Sequence, residues 1–381
     1  MNVFVLSELH PNNTHIGWSV NYSLEDTLAT ACNAQFLYPI CNDIRIEPGN
    51  YATRNPFRVI ERYRNRIFKS WYKLDRLPTL GNGPNILLIV GNGPGFLMSM
   101  FALGSLLKQF DLRVGYVLDG FNPSGFRSPA PYLDHLFVIS AELADEIREL
   151  HPFDVSFLPL GVNTLPLGPH QTHRHIDIIG YGRTHPGLHA QLQPYFNHQS
   201  SDRIYFHSTF SHGDVESPRE HITLLNKLLN RSKISLCFEV SDVHRFRGQS
   251  PLVYRWLEGW AAGCGLVGKK PFGKGVAELM DWQDSTIDMP EQPADWIPFL
   301  EALLDDETRL AEISLRNYRE CRLRHDWRYR LQGMFEQLSL PIPRSLAEEI
   351  TQFRSQLHRP ENNPKNPCKP EDKRKEVMGS G

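Results

Sequence analysis

The sequence predicts an α/β protein of two Rossmann-like domains facing across a cleft, followed by a disordered C-terminal tail. Three observations predict it. Short, near-continuous apolar runs recur along the chain, as strands covered on both faces require. Helical patterns separate these runs at a spacing that builds βαβ units. The alternation breaks once, around 160–169, and then begins again.

In the first domain, 1–160, apolar runs at 3–6, 86–90, 114–118, 136–139 and 155–158 read as strands. Helices are expected at 96–109 and 141–150. The second has Ser140 as its N-cap and Glu142 in its first turn, where a carboxylate complements the helix dipole. From Leu160 to Pro169 the chain turns to Pro, Gly and His, which marks a linker. The second domain, 170–340, resumes with strands at 176–180 and 234–238 and helices at 218–230, 251–262, 293–304 and 307–323. Pro251 suits the first position of its helix, Gly263 suits the residue just past its end, and a strand follows at Leu266. A terminal helix spans 341–357. Beyond 358 the composition of Pro, Asn, Lys and Glu offers too little apolar area to order itself, so this tail is expected to be disordered.

The length of 381 residues accommodates two ordinary domains, and 40% hydrophobic with 22% charged residues supplies a core. Lys plus Arg, 41, nearly cancels Asp plus Glu, 43, so no global basic field exists to hold nucleic acid. The apolar opening at 3–6 is too short for a signal peptide or a membrane span, and the expectation is a cytoplasmic, soluble chain. Six cysteines stand far apart without a C-x-x-C pair, which suits a reducing compartment and argues against a zinc ribbon. His170, His173 and His175 cluster beside Gly168-Pro169 and read as a solvated linker, so no metal site is expected. No Asp-x-Asp pair is present to hold a metal against a diphosphate.

Several loops carry residues suited to chemistry. Gly91-Asn92-Gly93-Pro94-Gly95 follows the strongest strand; its amides can cradle a phosphate, but Pro94 removes one donor and the spacing favours a tight turn. His15, in the polar loop after the first strand, is a candidate base or simply a loop residue. Asp119 ends a strand at the edge where ligands of parallel sheets bind; it can orient an acceptor hydroxyl or act as base, or else cap the Asn122-Pro123 bend. Arg255 and Glu258, three apart, share one helical face. Between 54 and 76 eight Lys and Arg residues accompany Ile60, Tyr63, Ile67, Trp71 and Leu74 at helical spacing. Such a stripe packs on its own domain or offers a basic face for peripheral membrane contact.

The run Asn230-Arg231-Ser232-Lys233-Ile234, then Ser250, Arg255-Trp256-Leu257-Glu258 and Ala262-Gly263-Cys264, resembles the donor-binding half of group 1 (family 4-like) glycosyltransferases of the GT-B fold. Leu158-Pro159-Leu160-Gly161-Val162-Asn163 resembles their interdomain linker. Gly182-Arg183 resembles the turn after the first strand of their second domain. Gly275-Val276-Ala277-Glu278-Leu279 and the closing His325-Asp326-Trp327-Arg328-Tyr329-Arg330 resemble later segments. The resemblance covers about 155–340 by motif and the first half by architecture.

It implies a metal-independent, retaining transfer of a sugar from a nucleotide-sugar donor, with no further cofactor. The acceptor would be a carbohydrate, a lipid or a small molecule, bound by the first domain. Glu258 takes the place of the carboxylate that accepts hydrogen bonds from the ribose hydroxyls. Arg183 falls near the diphosphate, where a permanent cation offsets leaving-group charge; Arg255 assists there or orients Glu258, and Lys269 is a looser donor-side candidate. Ser250 stands where the family often carries a second Glu, and Leu188 and His189 stand where a diphosphate lysine is expected. Asp119 and His15 remain the candidates for catalysis on the acceptor side. Two other readings are a nicotinamide-dependent oxidoreductase, whose G-x-G-x-x-G is not found, and a non-catalytic GT-B scaffold or glycan-binding protein.

Overall fold

A computed structural model describes residues 1–10, 12–41, 69, 71–182, 185–207 and 215–357. The chain opens with β1 (Asn2–Ser7), α1 (Ser19–Cys32) and β2 (Gln35–Leu37). A short antiparallel pair, β3 (Ile40–Cys41) and β4 (Tyr72–Lys73), stands outside the main sheet. Then come β5 (Asn85–Gly91), β6 (Leu112–Val117), β7 (His135–Val138), α2 (Ala141–Leu150) and β8 (Val155–Phe157). The six-stranded sheet runs β2-β1-β5-β6-β7-β8, every pairing parallel. Strand β5 is buried along its whole length, which is what an uninterrupted apolar run requires of a central strand. Ser140 caps α2 as expected, its hydroxyl accepting from the Leu143 amide at 3.2 Å.

The helix expected at 96–109 is corrected. Pro94–Gln109 forms 3₁₀ turns broken at Gly104, whose φ of 56° and ψ of −128° leave the helical region. An α-helical ladder cannot run through that residue, and only glycine adopts the conformation cheaply.

The second sheet contains β9 (Ile176–Gly180), β10 (Tyr205–His207), β11 (Ser232–Phe238), β12 (Gly265–Lys269) and β13 (Ile287–Asp288). Their order is β10-β9-β11-β12-β13, again all parallel. Its helices are α3 (Pro186–Phe196), α4 (Pro218–Leu229), α5 (Tyr254–Ala261), α6 (Val276–Leu279), α7 (Trp296–Asp305) and α8 (Glu307–Arg324). Helix α5 starts three residues later than the sequence predicts: Val253, in extended conformation, is the N-cap, so Pro251 is not its first residue. Its end follows prediction. Gly263, at φ 75°, donates to the Trp260 carbonyl, and Cys264 donates to that of Gly259, a Schellman closure. Trp256 and Trp260 bury the inner face of this helix completely.

The chain then returns to the first half. Helices α9 (Trp327–Gln337) and α10 (Arg344–Leu357) pack on α1. Val162 of the linker pairs with Asp326, and the fully buried Trp327 donates its indole N–H to Ser23 Oγ at 3.1 Å. Arg330 donates to the Leu160 carbonyl at 3.2 Å and contacts His325 Nδ1 at 2.8 Å. Residues 327–340, expected in the second domain, thus also contact the linker and α1 of the first half. His170, expected in a solvated linker, docks on α8 through Ser314 Oγ at 2.8 Å, while His173 and His175 are exposed. The tail from 358 and the basic stretch at 54–68 lie outside the described residues. Among the described residues no helix is long and apolar enough to cross a membrane.

Each sheet reverses its strand order once, between β1 and β5 and between β9 and β11. The loops at the carboxyl ends of those strands diverge there, and a ligand crevice forms at such a point.

Candidate functional site

The loops of both sheets enclose a cleft of about 570 Å³. Gly17, Ser19, Asn92 and Asp119 line it from the first half, and Tyr181, Glu239, Arg245, Arg255 and Glu258 from the second. Its chemistry follows from where strands end. Tyr181 is the residue after β9, Glu239 the residue after β11, and Asp119 lies two residues beyond β6.

Glu258 is buried on α5. It accepts a hydrogen bond from the Tyr181 hydroxyl at 3.1 Å and another from the Ser19 hydroxyl, which reaches across from α1. Burial pushes its carboxyl from the ordinary 4.5 up to about 7; the Tyr181 hydrogen bond, the Arg255 charge and the Ser19 hydroxyl oppose the rise. Burial also holds the Tyr181 phenol far above its usual range, so it remains a donor. Arg255 lies over the Tyr181 ring, 5.2 Å from its centroid. This approach depends on Gly182. Its φ is 66°, and a Cβ there would stand 2.6 Å from the Arg255 guanidinium.

Asp119 is fixed by its amide, which donates to the Asn92 carbonyl at 2.9 Å. Its carboxylate pairs across the cleft with Arg245. The Asn122-Pro123 bend is capped instead by Asn122, whose side chain accepts from the Ser124 amide at 3.2 Å. The amides of the glycine-rich turn at 91–95 are already engaged: Asn92 and Gly93 donate to the Glu8 carboxyl, at 2.6 Å from Asn92, and partly offset the burial that raises its pKa. A turn whose amides are taken by a carboxyl group is not a phosphate cradle.

The remaining candidates lie beside the cleft or outside the described residues. His15 is exposed and uses Nδ1 to accept from the Gly17 amide at 2.9 Å, so it shapes the loop that carries Ser19. Ser250 and Lys269 meet at Glu239. The Ser250 hydroxyl donates to one carboxylate oxygen at 3.0 Å, and Lys269 Nζ approaches the other at 3.2 Å. The Ser241 amide and hydroxyl complete the cage, and these bonds outweigh desolvation to hold the Glu239 carboxyl below its ordinary value. Arg183 lies outside the described residues. Among those described, no group of three or more His, Cys, Asp or Glu is arranged to hold a metal ion.

Asp119, Arg255 and Glu258 thus share one cleft. Sequence reasoning missed Ser19, Tyr181, Glu239 and Arg245. Tyr181 and Glu239 were findable, because each directly follows an apolar strand at its carboxyl end. Nothing local marks Ser19 or Arg245, which act across the cleft.

The two halves are clasped around this site. Arg219 forms a bidentate pair with Asp26 at 2.9 and 3.0 Å. Ser140 donates to Gln249 at 2.6 Å, and Lys274 pairs with Asp145 at 2.5 Å.

Residues 198–336 match the profile of a family described as glycosyl transferase-like. Comparison with curated proteins finds no match. Among solved structures, HepE of Anabaena in complex with UDP-glucose aligns at 10% identity and a TM-score of 0.50, over 89% of this chain and 100% of that one. HepE with UDP and glucose aligns at 13% identity and 0.48, over 88% and 98%. A glycosyltransferase from Rickettsia africae aligns at 10% identity and 0.42, over 94% and 100%. The first of these likenesses shows a shared fold, the two-domain GT-B arrangement.

Proposed function

We propose that this chain, GT-B in fold and glycosyl transferase-like over 198–336, transfers a sugar from a nucleotide-sugar donor to an acceptor hydroxyl in the cleft between its two sheets. The observation that carries the reading is Glu258: a buried carboxylate on the cleft wall, held by donors from both halves. A carboxylate accepts two hydroxyl hydrogen bonds at once, which suits the vicinal diol of a ribose. Entry of the ribose would exchange the Ser19 donor for substrate donors and favour the ionised carboxylate.

Chemistry then falls to the space between Asp119 and the arginines. Breaking the glycosidic bond leaves negative charge on the diphosphate, which Arg255 and Arg183 are proposed to offset without a metal ion. Asp119 is the candidate to orient the acceptor hydroxyl, and the clasped halves would keep water from competing with it. Retention of anomeric configuration is the outcome the sequence resemblance implies; NMR assignment of the product anomer tests it. A carbohydrate acceptor is proposed first, followed by lipid and small-molecule acceptors.

UDP is the nucleotide to try first, since HepE is seen with UDP-glucose. Thermal shifts with UDP, GDP and ADP test the reading on wild type and Glu258→Ala. A ligand at about 100 times its Kd adds about 2.7 kcal/mol of stability. Stabilisation by one diphosphate, lost in the variant, is expected. No stabilisation by any of them would leave a non-catalytic scaffold.

A further inference from the structure

We propose that Arg245 is a diphosphate-binding residue that Asp119 holds in reserve, so that the donor diphosphate and the Asp119 carboxylate compete for one guanidinium. The inference rests on the donor reading of the cleft and goes beyond it, because it assigns a cation and a coupling that neither fold nor profile supplies.

Two arginines line the cleft among the described residues, and they differ in their surroundings. Arg255, already proposed for the diphosphate, lies along its own wall, over Tyr181 and against Gly182 beside Glu258. Arg245 reaches the other way. It stands in the 3₁₀ turn His244–Phe246 beyond β11 and pairs with Asp119 of the opposite half, 126 positions away in sequence. The turn is anchored, since Phe246 is buried and packs on Phe121 with ring centroids 4.7 Å apart. The guanidinium itself is half exposed and the carboxylate about one-third exposed. The backbone is therefore fixed while the charge remains available.

The charge balance favours exchange. Asp119, Glu239, Asp242 and Glu258 line the cleft against those two arginines. Glu239 is already caged by Ser241, Ser250 and Lys269. A half-exposed ion pair is worth little, of order 1 kcal/mol or less. A diphosphate brings more charge and several acceptor oxygens, and a guanidinium fork binds such oxygens in pairs. The entering diphosphate displaces the Asp119 carboxylate from Arg245. Once Arg245 turns to the diphosphate, the Asp119 carboxylate loses that partner and is better able to accept a hydrogen bond from an acceptor hydroxyl. The unliganded enzyme keeps that group neutralised until the donor is in place.

Calorimetric titration with UDP and with uridine, at fixed pH and ionic strength, tests this on wild type, Arg245→Ala, Arg245→Lys, Asp119→Asn and the double variant Asp119→Asn/Arg245→Ala. Arg245→Ala is expected to weaken UDP by about tenfold or more, the scale of one hydrogen bond to a charged group, and to leave uridine unchanged. Arg245→Lys should recover part of the loss. Asp119→Asn should tighten UDP by about two- to fivefold, the scale of an exposed ion pair, and this gain should vanish in the Arg245→Ala background. UDP binding unaffected by Arg245→Ala overturns the proposal. So does a gain from Asp119→Asn that persists without Arg245, which would be general repulsion, and so does weakened UDP binding in Asp119→Asn. Failure of the wild type to bind UDP, GDP or ADP would instead overturn the donor reading, and this inference with it.

Discussion

Glu258 meets two opposing demands. Its place inside the helix-to-sheet core excludes water, while any role with a ribose needs it charged. The outcome is a carboxyl held up to about 7 by burial against the pull of Tyr181, Arg255 and Ser19. The sign of the linkage follows. Below pH 4.5 the group is protonated in both folded and unfolded chains and costs nothing. Above that the unfolded carboxyl ionises first, so folding must take up a proton, and stability falls until about pH 7 and is constant beyond. The loss is up to about 3 kcal/mol for this residue. Urea unfolding between pH 5 and 8 should show that decline, and Glu258→Gln should flatten it. Glu25, also buried and raised to about 7, adds a similar slope that remains in the variant. Tyr181→Phe should steepen the dependence by removing a hydrogen bond that stabilises the charged form.

Among the elements, α5 carries the most information per residue, and its two ends behave differently. Its stop is local: Gly263 at φ 75° closes the helix whatever lies around it. Gly263→Ala should cost about 1–2 kcal/mol from the left-handed backbone alone. The crowding adds to this, for a Cβ would stand 2.8 Å from the Arg174 guanidinium and 3.1 Å from the Ser314 carbonyl. Denaturant unfolding of that variant checks the sum. The start of α5 is not local. Residues 250–253 stay outside the helix: Ser250 is engaged by Glu239 and by the Phe272 amide, and those tertiary bonds override the helix-starting preference of Pro251. The segment at 94–109 teaches the same lesson in reverse. Its composition is apolar and reads as a helix, yet the backbone turn at Gly104 divides it.

At the scale of the molecule, the closing His325–Arg330 motif is a structural clasp. Trp327 is buried against Gly161 of the linker and faces Tyr116 edge-on at 6.3 Å, while Asp326 accepts from the Thr164 hydroxyl at 2.7 Å. The segment therefore ties the linker to both halves and carries α9 and α10 back to α1. Trp327→Ala should cost about 3–5 kcal/mol, the range for emptying a buried aromatic site. With the clasp loosened, urea unfolding followed by fluorescence and circular dichroism should resolve two transitions in place of one. Wild type, joined by Arg219–Asp26, Lys274–Asp145 and Ser140–Gln249 as well, should unfold in a single step.

The sequence by itself determined the two parallel sheets, because a run such as 86–90 has no stable place except a strand covered on both sides, and it determined the end of α5 through Gly263. It also brought Asp119 forward as the residue at a strand's carboxyl end, while Arg255 and Glu258 came forward through the resemblance to group 1 glycosyltransferases. Tertiary structure decided the rest. The pairing of Arg245 with Asp119, the reach of Ser19 to Glu258, the cage around Glu239 and the return of α9 and α10 to the first sheet all join residues far apart in the chain. Periodicity and caps report only on neighbours within a few residues. A cleft is made where two folded halves meet, and its charges find their partners only after both have folded.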